Sequence, residues 1–363
     1  MGLNKQGYYC LDDIEKTGCN WKWIFGERAP GKSAAVKYKA MCHSWKTKTP
    51  SLALVRRKAT EINTHDVEAY FMDRGINFVE KATGGECDHI VYYRRFLWFA
   101  KTDPETGKDV KISKLGEVFA LSTSRNVKST GHPFIENIIV EEIMDAVGDY
   151  EENEPTVLQH LVSTIARWDS VNVYMIGNTV TKVCPYFTEW GMANIRKQKA
   201  GTIDIYHMEQ QDGTIIDLAC EYCPPTPHKS KMFFGRAEKS IQGGSWEIDC
   251  FPTFEKGKGL DDFEIIYKLT YKAISLMNFT LNLILDKESG NPFVFIHPAK
   301  HYCERVISSN FSSDHMTTPT LSRDIPAEVL IHNCFCDNKV IYSDNMCGTD
   351  FKHSTKAEPK YPF

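Results

Sequence analysis

Gly26-Glu27-Arg28-Ala29-Pro30-Gly31-Lys32-Ser33 satisfies G-x-x-x-x-G-K-[ST] at every fixed position. The chemistry of that pattern is capture of a phosphate chain. Glycines let the backbone wrap a phosphate, and loop amides with a helix N-terminus supply donors. Lys32 would reach the β- and γ-phosphates, and the Ser33 hydroxyl would hold Mg²⁺. Pro30 has no N–H, so the loop gives up one donor. A chance match in a Gly/Lys loop is the competing reading. The flanks oppose it, because residues 21–25 form an apolar run that reads as a buried strand and residues 34–41 read as a helix start.

A phosphate loop needs an acid delivered by a neighbouring strand. Asn137-Ile138-Ile139-Val140 is such a strand, and Glu141-Glu142 follow at its C-terminal end, where ligands sit in open α/β sheets. Glu141 would bind Mg²⁺ directly or through water, and Glu142 would polarise the attacking water as general base. The first acid of such a pair is usually Asp, so Glu141 must retract by a methylene. An exposed acidic turn is the alternative. Another strand ends in Gly177-Asn178, whose amide could touch the γ-phosphate or position water, or could simply make a turn. Lys128 and Arg167 are cations that, in a ring of subunits, could stabilise charge developing on a neighbour's γ-phosphate. Taken alone, each reads more readily as a solvated surface cation. Arg56-Arg57 end a further strand at the same sheet edge, with a solvated or salt-bridged pair as the alternative. Gln6, Tyr8 and Tyr9 could read or stack a base, an assignment resting on position alone.

These residues need a scaffold. Strand candidates at 21–25, 52–55, 137–140 and 171–176 alternate with helical patterns, which predicts an α/β domain with a mostly parallel sheet flanked by helices. An insert at 88–121 reads as an antiparallel hairpin, with 90–99 as one strand and a polar turn at 103–107. Val157, Leu158, Leu161, Val162 and Ile165 make one face of a helix after an acidic loop at 149–155. The chain divides into a phosphate-loop domain at 1–197, a polar Gly/Pro-containing linker region at 198–245, and a β-rich α+β domain at 246–363. A hairpin is expected from 279–285 and 292–296, and the tail 352–363 reads as polar and loosely held.

At 363 residues the chain has room for two domains. The net charge of −4 argues against a static, histone-like DNA binder and permits local basic surfaces used transiently. Two such clusters are His228, Lys229, Lys231, Arg236 and Lys239, and Arg196, Lys197 and Lys199. No stretch reaches membrane-span length, and residues 1–6 carry no apolar signal core. The 12 cysteines lie mostly in apolar runs and read as buried thiols. Cys220, Cys223, Cys334 and Cys336, with His332, leave a zinc site open.

The ordered set resembles the DNA-packaging motor ATPases of small, protein-primed tailed bacteriophages, which are terminase-like, additional-strand P-loop ATPases. It comprises Ile24 to Ser33, Val55-Arg56-Arg57, Lys128-Ser129, Ile138 to Glu142, Gly177-Asn178, Pro185-Tyr186-Phe187 and Phe234-Gly235-Arg236. The likeness runs in order over residues 20–240 and fades beyond. It implies ATP and Mg²⁺ as cofactors. It also implies a homomeric ring, a pentamer, docked on a capsid portal in the cytoplasm of an infected bacterium and driving double-stranded DNA into the shell. A packaging RNA as a further partner stays open. In this resemblance Lys128 and Arg167 act in trans, and the C-terminal domain resembles an RNase H-like terminase nuclease without cutting activity. The strand 279–285 carries no acid inside it, in line with a lost nuclease, which would need several acids for two metals.

Two other classes compete. One is a P-loop phosphotransferase acting on a small acceptor, against which the second carboxylate and the large second domain weigh. The other is a non-hydrolysing nucleic-acid-binding assembly protein. The lack of N-K-x-D weighs against a GTPase: Asn4-Lys5 is followed by Gln6-Gly7, and Asn338-Lys339 by Val340-Ile341.

Overall fold

The computed structural model describes residues 3–363 except 29–30, 74, 128–130, 146–147, 168–169, 230, 236–237, 239–240, 243–244 and 311–315, and it leaves aside the side chains of 125–127. Contacts divide the chain into two compact units. The first holds residues 1–145, 149–180 and 194–245, and the second holds 146–148, 181–193 and 246–363.

The first unit is built on strands β1 (Trp21–Gly26), β2 (Leu52–Arg56), β3 (His89–Tyr93), β4 (Phe96–Thr102), β5 (Asp109–Ala120), β6 (Asn137–Val140), β7 (Asn172–Asn178), β8 (Thr202–Glu209) and β9 (Ile215–Tyr222). They form one sheet in the order β3-β4-β5-β2-β6-β7-β1-β9-β8. From β5 to β9 every neighbour is parallel, and the outer pairs are antiparallel. The central strands are largely apolar runs, broken in β1 by the buried Lys22, as expected where both faces of a sheet are covered. Trp23, Ile24, Leu52, Leu54, Ile138, Ile139 and Val173 are buried. The helix Glu154–Ala166 buries Leu158, Leu161, Val162 and Ile165, the face its spacing predicts.

Three sequence expectations change here. The region 198–245 is not wholly connector: β9 pairs in parallel with β1, and β8 closes the sheet edge against it. The polar, Gly/Pro-containing flanks of these strands hid them, since β8 is an edge strand with alternating exposure. The apolar run 90–99 is not one strand either. It breaks at Arg94-Arg95 into β3 and β4, so the insert is a three-stranded meander whose last strand continues into the main sheet beside β2. The C-terminal tail is anchored. Phe351 and Phe363 are buried in the second unit's core, where they stack on each other and meet Tyr271 edge-on.

The second unit holds a sheet of β10 (Phe263–Lys272), β11 (Asn278–Asp286), β12 (Pro292–Pro298), β13 (Val306–Ile307), β14 (Thr317–Thr318) and β15 (Val340–Tyr342). Its order is β14-β13-β10-β11-β12-β15. The expected hairpin is β11–β12, and Leu281, Leu283, Val294 and Ile296 carry the core with Ile331 and Phe351 from helices.

Candidate active site

The phosphate loop leaves β1 at Gly26, whose φ of 153° no other residue adopts easily, and whose missing Cβ would stand 3.0 Å from Cys223 Cβ. Gly31, also left-handed at φ 94°, caps the helix Lys32–Thr47, so that helix's N-terminus opens directly onto the loop. Parallel pairing sets Gly26 beside Asn178 at the C-terminal ends of β1 and β7.

Lys32 is buried. Its Nζ donates to the Glu27 carbonyl and, at 3.2 Å, to Asn178 Oδ1. Burial pulls its pKa down, against the opposing pull of Cys223, Glu141 and Glu27. Ser33 Oγ donates to Glu141 Oε2 at 3.2 Å, joining the loop to the end of β6. Tyr70, which ends the helix Thr64–Tyr70, donates its hydroxyl to Glu141 Oε1 at 2.5 Å. Burial pushes the Glu141 carboxyl up, while Tyr70, Ser33, Arg56 and Lys37 oppose it. Glu142 parts from its neighbour: it is exposed, and its φ of 53° is left-handed. That turn lets Ile143 N–H reach the Ile176 carbonyl at 3.1 Å. Gly177 leaves room for the passing chain, since a Cβ there would meet Met144 Cε at 2.8 Å.

Glu27 and Arg28 lie in the loop as the motif requires, and Ala29 and Pro30 fall outside the described residues. Glu27 is fully buried. It accepts from Thr226 N–H and pairs with Lys229 at 3.3 Å, while Arg28 N–H donates to the Ile241 carbonyl at 3.2 Å. The segment after β9 therefore straps the loop from one side. Lys128 lies outside the described residues. Arg167 is exposed at the end of the helix Glu154–Ala166, ahead of β7, and so at the sheet edge opposite the phosphate loop; its guanidinium approaches Gly131. The two arginines closing β2 separate. Arg57 is held in a buried ion pair with Glu154, Nε to Oε2 at 2.8 Å, and is structural. Arg56 lies over the Tyr70 ring at 5.0 Å, with its Nε buried and unpartnered. Of the base-reading candidates, Tyr8 stacks on His228 at 4.7 Å and Tyr9 hydroxyl donates to Glu221 at 2.7 Å.

Tyr70 escaped the sequence reading because a tyrosine in a short polar helix carries no motif. Its value lies in contact with a residue 71 positions away. The Ser33 hydroxyl and Glu141 carboxylate are hard oxygen donors already facing one another, and they fit Mg²⁺, which takes one or two such protein ligands with substrate phosphates. Among the described residues, no group of three or more His, Cys, Asp and Glu gathers as a metal cluster. Among them, no helix is long and apolar enough to cross a membrane.

No protein-family model and no curated protein matches the chain. Among solved structures it is similar to the bacteriophage Phi-29 viral genome packaging motor assembly, at 17% identity and a TM-score of 0.52, over 96% of this chain and 99% of that one. It is also similar to the Phi-28 gp11 DNA packaging motor, at 16% identity and a TM-score of 0.47, over 98% and 100%. The N-terminal domain of the DNA packaging ATPase from bacteriophage phi29 aligns at 21% identity and a TM-score of 0.46, over 61% of this chain and 99% of that one. The likeness to the Phi-29 assembly is one of fold. It spans both units, including the region beyond residue 240 where the sequence resemblance fades.

Proposed function

We propose that the protein is a DNA-packaging motor ATPase that hydrolyses ATP and, as a homomeric ring on a capsid portal, moves double-stranded DNA into the shell. The observation that carries this reading is the meeting of Ser33 with Glu141 at one sheet edge, with Lys32 against Asn178 beside it. The strand β7 lies between β1 and β6, the spacing of an additional-strand ATPase. The whole-length fold likeness to the Phi-29 packaging assembly supports the motor over a small-acceptor phosphotransferase.

In this reading Lys32 and the amides of the loop hold the phosphates, Ser33 and Glu141 hold Mg²⁺, and Asn178 orients the γ-phosphate or water. Glu142 takes the proton of the attacking water. The ion supplies charge neutralisation along the phosphate chain. Arg167, which precedes β7 while the phosphate loop follows β1, would act on a neighbour's loop, with Lys128 in the same role. The strand order β12-β11-β10-β13-β14, an antiparallel meander followed by parallel strands, supports an RNase H-like second unit. Its loss of cutting activity is part of the proposal: Asp286, at the end of β11, is taken up by Lys258 and by the amides of Glu288 and Ser289.

Phosphate release with and without duplex DNA tests this. DNA-stimulated turnover is expected, abolished by Lys32→Ala. Glu142→Gln is expected to lower kcat by about 10²-fold or more while retaining nucleotide binding. Turnover that requires a small acceptor, or that is untouched by both changes, overturns the reading.

A further inference from the structure

The meander β3–β4–β5 carries a second chemistry-bearing surface, remote from the phosphate loop. At its tip, Tyr93-Arg94-Arg95-Phe96 is a two-residue hairpin turn with φ of 49° and 75° at the arginines. Two left-handed residues define a turn that favours Asn-Gly, and arginine pays for the Cβ at both positions. Conformational strain of this kind is kept where it serves something else.

A second irregularity points to the same face. The β4–β5 register slips between Phe99 and Ala100, leaving Ile112 as an extra residue. Lys111 and Lys114 would fall on opposite faces of a regular strand. With the bulge, both reach the Trp98 ring, at 5.9 and 5.2 Å. Lys111 also lies 3.7 Å over Tyr93, and Lys114 lies 3.9 Å over Phe96. The nearby acids are engaged. Glu117 faces Arg95 at 3.3 Å and His132 at 3.1 Å, Asp109 faces His89 at 3.3 Å, Asp103 closes its own turn, and Glu68 accepts from Tyr92 N–H. Among the described residues, no carboxylate lies within ion-pair distance of Arg94, Lys111 or Lys114. The result is an uncompensated positive face on a chain of net charge −4.

We propose that this face docks the phosphate backbone of duplex DNA. The argument is charge complementarity with a specific exclusion. Lysines cover the rings of Tyr93 and Phe96, which leaves them ill-suited to stack on splayed bases, as a single strand would require. Cations without base-reading amides hold phosphates irrespective of sequence. The inference rests on the motor reading above and adds where the track is held.

The test uses the full chain and a short blunt duplex of DNA, with binding followed by fluorescence anisotropy across a salt series. Arg94→Asn supplies a residue the turn prefers and leaves the Arg95–Glu117 pair in place, so Tm should hold while duplex affinity falls several-fold and the log–log salt slope flattens by about 1. Lys111→Gln with Lys114→Gln should flatten it by about 1–2. Affinity for a non-hydrolysable ATP analogue should not move. Unchanged duplex binding in both variants overturns the assignment while leaving the motor reading intact. Absence of duplex binding by the unaltered chain overturns both. Two other results assign the face elsewhere and overturn the proposal: stronger binding of single-stranded DNA or duplex RNA that the variants abolish, or a change of assembly state by native mass spectrometry with DNA binding retained.

Discussion

At Glu141, burial and hydrogen bonding work against each other. Burial raises its pKa above the ordinary 4.5, and the Tyr70 hydroxyl is the first of the groups that oppose the rise. Tyr70→Phe removes that donor, so the carboxyl protonates at higher pH. Since only the carboxylate takes Mg²⁺, the acid limb of the kcat/KM profile should move to higher pH. A limb that stays in place argues against Glu141 as a metal ligand. The same shift has a stability consequence. A carboxyl whose folded pKa is raised favours the fold below its unfolded value and loses that contribution as pH rises through the folded one. Metal-free protein at neutral pH should therefore gain Tm on Glu141→Gln, by a few degrees in calorimetry, about 1 kcal/mol. Added Mg²⁺ should reverse the order of the two proteins.

At the scale of elements, the ion pair of Arg57 with Glu154 ties the end of β2 to the first turn of the helix Glu154–Ala166. Both side chains are buried, so Glu154→Gln removes the nearer of the two carboxylates facing Arg57, leaving Asp145 at 3.9 Å, and should cost about 2 kcal/mol in denaturant unfolding. Arg56→Gln, one residue earlier, should cost less and act instead on turnover, because Arg56 faces Tyr70 and Glu141. Elements with a strong period were legible in advance, as in the apolar stripe of that helix and the runs of β1, β6 and β7. Strand β8 was not, because an edge strand half in solvent looks like connector until its partner is known, and β9 was not, because it opens on exposed residues and runs into Pro224-Pro225, which reads as connector. The turn at Arg94-Arg95 was hidden because nothing in the residue types announces a left-handed pair.

At the scale of the molecule, the two units answer to different conditions. In the second, Glu328 is buried, which alone would raise its pKa, but Arg305 at 2.6 Å, Ser322 N–H and Tyr267 bring it below 4.5. A depressed carboxyl contributes stability above its unfolded pKa and loses it as pH falls through the folded one. That unit should therefore loosen at acid pH, and Glu328→Gln should lower its stability at neutral pH by about 3 kcal/mol and flatten the acid transition, read by circular dichroism. For the proposed ring, mixing Lys32→Ala with Arg167→Ala subunits should restore turnover at about a quarter of interfaces, since an intact loop and an intact arginine then meet from different chains. Mixtures as inactive as either parent would count against action in trans. The phosphate loop, the twin glutamates and the parallel alternation were determined by consecutive residues, because a motif's chemistry and a strand's apolar run are local properties. Tertiary structure decided that β7 lies between β1 and β6, and that Ser33 meets Glu141 across 108 residues. It decided too that Arg57 is buried in an ion pair while Arg56 stays at the site. Strand order, register and desolvation all depend on partners from distant parts of the chain, and no window of neighbouring residues contains them.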